Sequence, residues 1–154
     1  MEEKKSREKR AWEATPDVAV VAIDEQARTF YGQNRLDRAQ ELYEKLVRMR
    51  PEVSEYHAML GIIHRRQDRL ITALQHLQKA AEIDPTDRNA LVNLGECLVI
   101  AGKVKAGADL LIEVFKMGYE KDKPPVEQDE FTKRAGAQLA ILEKVGEMTP
   151  NNLS

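Results

Sequence analysis

Residues 54–85 read SEYHAMLGIIHRRQDRLITALQHLQKAAEIDP, and what stands at a fixed interval on either side of them decides the fold. Pro85, which closes the stretch, lies 34 residues after Pro51. At the same interval Gly61 has Ala27 before it and Gly95 after it, and Ala73 stands between Ala39 and Gly107. Both columns are small each time. Tyr43, Leu77 and Leu111 form a large apolar column, and Leu46, Ala80 and Val114 follow three residues later. Five registered columns at one period mark an internal repeat. The small residues let two helices approach closely. Phe30, His64 and Leu98, three residues beyond the first small column, fall on the same packing side. Proline cannot continue a helix, so Pro51 and Pro85 end the second helix of each unit.

A period of 34 residues is that of the tetratricopeptide repeat, a helix-turn-helix unit. The expected fold is therefore all-α: an α-solenoid of three such repeats with a C-terminal capping helix. The repeats fall at 20–53, 54–87 and 88–121, within a region 16–121. Asn34-Arg35-Leu36-Asp37 and Ala101-Gly102-Lys103 supply the turns of repeats one and three, whereas repeat two offers Gln67-Asp68 and no glycine. Thr15-Pro16 reads as an N-cap followed by proline at the first helical position, so the first helix is expected to start near residue 16. Residues 1–15 form a charged N-terminal segment, and 122–148 a linker and capping helix. In that helix Phe131, Ala135, Leu139, Leu142 and Val145 recur at helical spacing and can cover the open end of the repeats.

Composition narrows the function. The 154 residues are 42% hydrophobic, 32% charged and 5% aromatic, which fits neither a disordered chain nor an all-β one. A net charge of −2 argues against nucleic acid as a partner. No apolar run reaches the roughly 18 residues a membrane helix needs, so no membrane insertion is expected. The opening MEEKKSREKR leads into no apolar stretch and does not fit a secretory signal. A single cysteine, Cys97, permits no intramolecular disulfide. The expected location is the cytoplasm.

No chemistry is spelled out. His57 and His64 are seven residues apart on one helix, too far to chelate one metal, and read as packing residues; His76 reads as exposed. Cys97 has no visible base and reads as a small, semi-buried helix residue. No GxGxxG, P-loop or HExxH pattern occurs. We expect no catalytic residue, no metal and no cofactor, and hence not an enzyme.

The first helices of such repeats line a concave surface. In the repeat family the groove positions are 2, 5, 9, 12 and 13. Here these are Val21, Asp24, Arg28, Tyr31 and Gly32; then Glu55, Ala58, Ile62, Arg65 and Arg66; then Asn89, Val92, Glu96, Val99 and Ile100. Val21, Ala58, Ile62, Val92 and Val99 would make an apolar strip, with Asp24, Arg28, Arg65 and Glu96 as polar anchors at its edges. Such a strip suits an extended peptide with apolar side chains. The strip could instead be covered by the protein's own N-terminal segment or by a second copy. Tetratricopeptide domains that grip a chaperone's C-terminal carboxylate use Lys and Asn at positions 5 and 9 of the first repeat. Asp24 and Arg28 stand there, and Asn89 and Asn93 replace the basic residues of the third. That clamp is absent.

Over residues 18–145 the sequence resembles the class II (translocator) chaperones of bacterial type III secretion. The likeness is carried by Leu94-Gly95-Glu96-Cys97-Leu98 with Gly102 and Lys103, by Phe30-Tyr31-Gly32 through Asp37-Arg38-Ala39, and by Lys123-Pro124-Pro125 through Phe131 to Leu142. It implies that an apolar translocator segment is held extended in the groove until export, and that a homodimer forms through the N-terminal region, with Trp12 near the contact. The family groove is often rich in tyrosine and phenylalanine; here the strip is mostly aliphatic, with Tyr31 as its aromatic. The alternative is a structural scaffold or adaptor subunit of another bacterial assembly.

Overall fold

The computed structural model describes residues 17–146. The charged segment 1–15 with Trp12, the Thr15-Pro16 start signal and residues 147–154 lie outside them. The described residues form seven α-helices and no strand: α1 Val18–Gly32, α2 Leu36–Met49, α3 Ser54–Arg66, α4 Leu70–Ile83, α5 Arg88–Ile100, α6 Val104–Gly118 and α7 Glu130–Lys144. The fold is all-α and of the tetratricopeptide type. The chain divides into two compact units, one up to Arg50 and one from Pro51.

In the first unit α1 packs on α2. Helix α1 is capped by Asp17, whose carboxylate accepts the Ala19 N–H at 3.0 Å. A carboxylate in that place satisfies an otherwise orphaned backbone donor. Ala27, Ala39, Tyr43 and Leu46 are all buried. Arg35 lies over the Phe30 ring, 4.5 Å from its centroid.

In the second unit the hairpins α3–α4 and α5–α6 follow one another, α4 packing on α5 and α6 on α7. The small columns allow close backbone approach. A Cβ on Gly107 would stand 2.6 Å from the Gly95 carbonyl oxygen and 2.7 Å from a Val99 methyl. The large column fills the space behind, with Leu77 and Leu111 fully buried. The helices stop where expected: α4 ends at Ile83, before Asp84 and Pro85.

The turn that sequence left without a glycine is resolved simply. Asn34, Asp68 and Gly102, each 34 residues apart, take φ of 60°, 60° and 81°. Asn and Asp tolerate the left-handed region better than other non-glycine residues, so Asp68 does what Gly102 does. His57 and His64 are buried, and His57 Nε2 donates to the Pro51 carbonyl at 2.9 Å. His76 is half-buried, not exposed, because its ring stacks on His64 with centroids 5.3 Å apart.

Between α6 and α7 a short 3-10 turn, Pro125–Glu127, precedes Gln128. The buried Gln128 amide knits the linker together: its Oε1 accepts the Glu120 N–H at 2.9 Å, and its Nε2 donates to the carbonyls of Glu120 and Lys123 at 2.7 and 2.8 Å. In α7 Ala135 and Leu142 are buried and Phe131 and Leu139 half-buried. Val145 is exposed, since the helix ends one residue before it.

Candidate functional site: the face of the first helices

Helix α7 sits beside α5 as α5 sits beside α3, so it occupies the place of a further first helix. The two helices also share their start. Asp87 caps α5 by accepting the Ala90 N–H, and Asp129 caps α7 by accepting those of Phe131 and Thr132. Arg88 ties the two starts together, donating to Asp129 and, at 2.7 Å, to the Thr132 hydroxyl. Burial raises the Asp129 pKa, but hydrogen bonds from Thr132 and Arg88, with the Arg88 charge, outweigh it and bring the value to about 2.

The expected groove residues separate into three groups. Val21, Arg28 and Glu55 are exposed; Asp24, Tyr31, Ile62, Arg65, Asn89 and Val99 are half-buried. Ala58, Val92 and Glu96 are buried. The first two correct the sequence reading. Ala58 and Val92 have 0% exposure. Ala58 packs with Ala80 and Ala90, and Val92 with Leu111, Val114 and Ala135. The physical reason is that Ala58 on α3 faces α5, and Val92 on α5 faces α7. They offer no surface to a ligand, so the five-residue apolar strip is interrupted. Ile62 and Val99 also lean against the core clusters and expose only part of their side chains.

In the first unit Asp24 and Arg28 pair with each other at 3.0 Å across one helical turn. In the second, Glu96 is 6% exposed and is not an anchor open to a ligand. Its carboxylate is held by Arg65 and by Arg134, whose Nη2 stands at 2.8 Å. Asn93 Oδ1 accepts from the same two guanidinium groups at 3.3 and 3.2 Å. Asn93 Nδ2 in turn donates to Asn89, at 2.8 Å to its carbonyl and 3.0 Å to its side chain. Sequence reading missed Arg134 because α7 was read only for its apolar residues. The shared cap would have found it: Arg134 follows Asp129 as Val92 follows Asp87.

Next to this network lies an open cavity of about 520 Å³, lined by Val53, Ser54, Glu55, Asp84, Asp87, Asn89 and Phe131. Ser54 donates to Asp87 across it. Cys97 is fully buried; burial pushes its thiol pKa up, against the pull of Arg65, so it is not set up as a nucleophile. Among the described residues no cluster of His, Cys, Asp and Glu could hold a metal ion, and no helix is long and apolar enough to cross a membrane.

A family model described as tetratricopeptide repeat matches residues 25–88. No curated protein matches the sequence. Among solved structures, the type III secretion translocator chaperone SycD of Yersinia enterocolitica superposes with a TM-score of 0.75 at 16% identity, over 89% of this chain and 92% of that one. PcrH in complex with the chaperone binding region of PopD gives 0.72 at 17%, over 86% and 97%. The first tetratricopeptide domain of Spaghetti (RPAP3), bound to an HSP90 peptide, gives 0.69 at 13%, over 82% and 91%. The chain thus has a tetratricopeptide-repeat fold and resembles, in that fold, the translocator chaperones of type III secretion.

Proposed function

We propose that this protein is a non-catalytic binding module that holds an extended, partly apolar segment of a client protein, and that it serves as a translocator chaperone of type III secretion. The carrying observation is the fold likeness to SycD, which spans nearly the whole of both chains. The likeness to PcrH, solved with a segment of PopD, supports a peptide as the ligand class. In the first unit the contacts are Val21, Asp24, Arg28 and Tyr31. In the second they are Glu55, Ile62, Arg65, Asn89 and Val99, beside the cavity floored by Phe131. Burial of client side chains on Ile62, Val99 and Phe131 supplies affinity, at about 25 cal/mol per Å² of apolar surface covered. Polar contacts set register. The protein works in the cytoplasm, before export of the client.

Co-expression with the genes that neighbour its own, followed by mass spectrometry of what co-purifies, tests the reading. A hydrophobic secreted protein in fixed stoichiometry is expected, its bound segment mapped by limited proteolysis. Recovery of a stable envelope or motility subunit would make the protein a scaffold. Recovery of the chain alone would remove the client altogether.

A further inference from the structure

The Arg65–Glu96–Arg134 network has one negative charge and two positive ones. They are unequally placed. The Glu96 side chain is 6% exposed, whereas those of Arg65 and Arg134 are 30% and 33% exposed. The negative charge is sealed in and the excess positive charge opens outward. The acceptors within reach are already engaged. Both Glu96 oxygens receive Arg134, one of them receives Arg65 as well, and the Asn93 oxygen receives a bond from each. A guanidinium carries five N–H donors. Among the described residues, Nε and Nη2 of Arg65 and Nη1 of Arg134 meet no protein acceptor. Two rigid forks from different helices therefore converge with donors left over and a charge of +1. That arrangement matches a second carboxylate, which would make two cations and two anions.

We propose that Arg65 and Arg134 together receive an acidic side chain, Asp or Glu, from within the client segment. The inference rests on the peptide-binding reading above and names the chemistry of one client position. An internal residue fits better than a chain end. Glu96 and Asn93 sit midway along α5, with the open cavity of Asn89 and Phe131 on one side and the exposed Ile100 on the other. A bound chain thus has surface to follow in both directions. The acidic cavity, where Glu55, Asp84 and Asp87 stand, repels the same side chain and restricts it to the guanidinium pair.

The test uses a displayed library of random 12-residue peptides, selected in parallel on the full-length protein and on Arg134→Gln, which leaves Glu96 paired with Arg65. Selected peptides are then made with a free or an amidated C-terminus, and with the acidic residue changed to Gln or Asn. Expected from the wild-type protein are apolar peptides sharing one internal Asp or Glu. Neutralising it should weaken binding about tenfold, in the range of a charge-assisted hydrogen bond, and amidation should change nothing. Against Arg134→Gln the same peptide change should cost less than threefold. The peptide arm needs no protein variant, so a misfolded Arg134→Gln cannot hide the answer. Apolar peptides without acidic enrichment would overturn this inference and leave the binding reading standing. Loss of affinity only on amidation would move the carboxylate to a chain end and overturn it too. Failure to select any peptide would sink the binding reading and this inference with it.

Discussion

Single residues set the geometry of each hairpin. The turn position occupied by Asn34, Asp68 and Gly102 requires positive φ, which a β-branched side chain resists. Asp68→Val should therefore lower unfolding free energy by about 1–2 kcal/mol, while Asp68→Gly should hold or raise it, both read by urea denaturation. The turn is a case where the sequence was readable at two repeats and ambiguous at the third. A glycine announces positive φ, whereas an aspartate does so only if its register with the other two is noticed. Glycine can also be demanded by a neighbour rather than by φ. Gly107 faces the Gly95 carbonyl so closely that Gly107→Ala should cost about 1–3 kcal/mol through forced separation of α5 and α6. Gly32, with nothing within 4 Å of its would-be Cβ, is the contrast. Gly32→Ala should stabilise α1 by about 0.5 kcal/mol, because alanine is the better helix former.

At the scale of the element, α7 shows what pattern reading catches and what escapes it. Its existence and apolar residues were legible because Phe131, Ala135, Leu139 and Leu142 keep a helical period, and three of the four touch the core around Leu111 and Val114. Its polar role was not. Arg134 and Asp129 act through partners some forty positions away, and no local spacing encodes that. The same distance effect explains Ala58 and Val92. The family register assigns them to the groove, but the neighbouring helix covers them. Asp129 gives the element its test. Asp129→Ala removes the cap and the Arg88 pair, and should cost about 1 kcal/mol, with faster amide hydrogen exchange at residues 131–133. Its carboxyl group also sets a pH dependence. The folded value, about 2, lies below that of an unfolded aspartate, near 3.9. The ionised group therefore stabilises the fold fully above about pH 4, and the contribution is lost as pH falls through 2. With 40% of the side chain exposed, solvent screening holds it below about 1 kcal/mol. In Asp129→Ala the acid slope between pH 4 and 2 should flatten accordingly.

On the scale of the whole molecule, helix α5 is where the second unit is most nearly a solid. Residues 91–98 are buried without interruption, because α4, α6 and α7 all pack against it. Cys97 stands inside that run, at 0% exposure, and it is the chain's only thiol. The fold thus carries its own clock. A thiol reagent such as Ellman's can reach that sulfur only when α5 is uncovered, so the labelling rate reports how often the unit opens. At a reagent concentration high enough for labelling to outrun reclosing, the rate should settle at the opening rate itself and track unfolding seen by circular dichroism. A client seated across α3, α5 and α7 should slow it in proportion to the fraction bound. Rapid labelling of the native protein, unchanged by urea, would show that the covering helices part without unfolding. One residue with no chemistry of its own then becomes a gauge, with no label to engineer, of how tightly the scaffold is shut and when it is occupied.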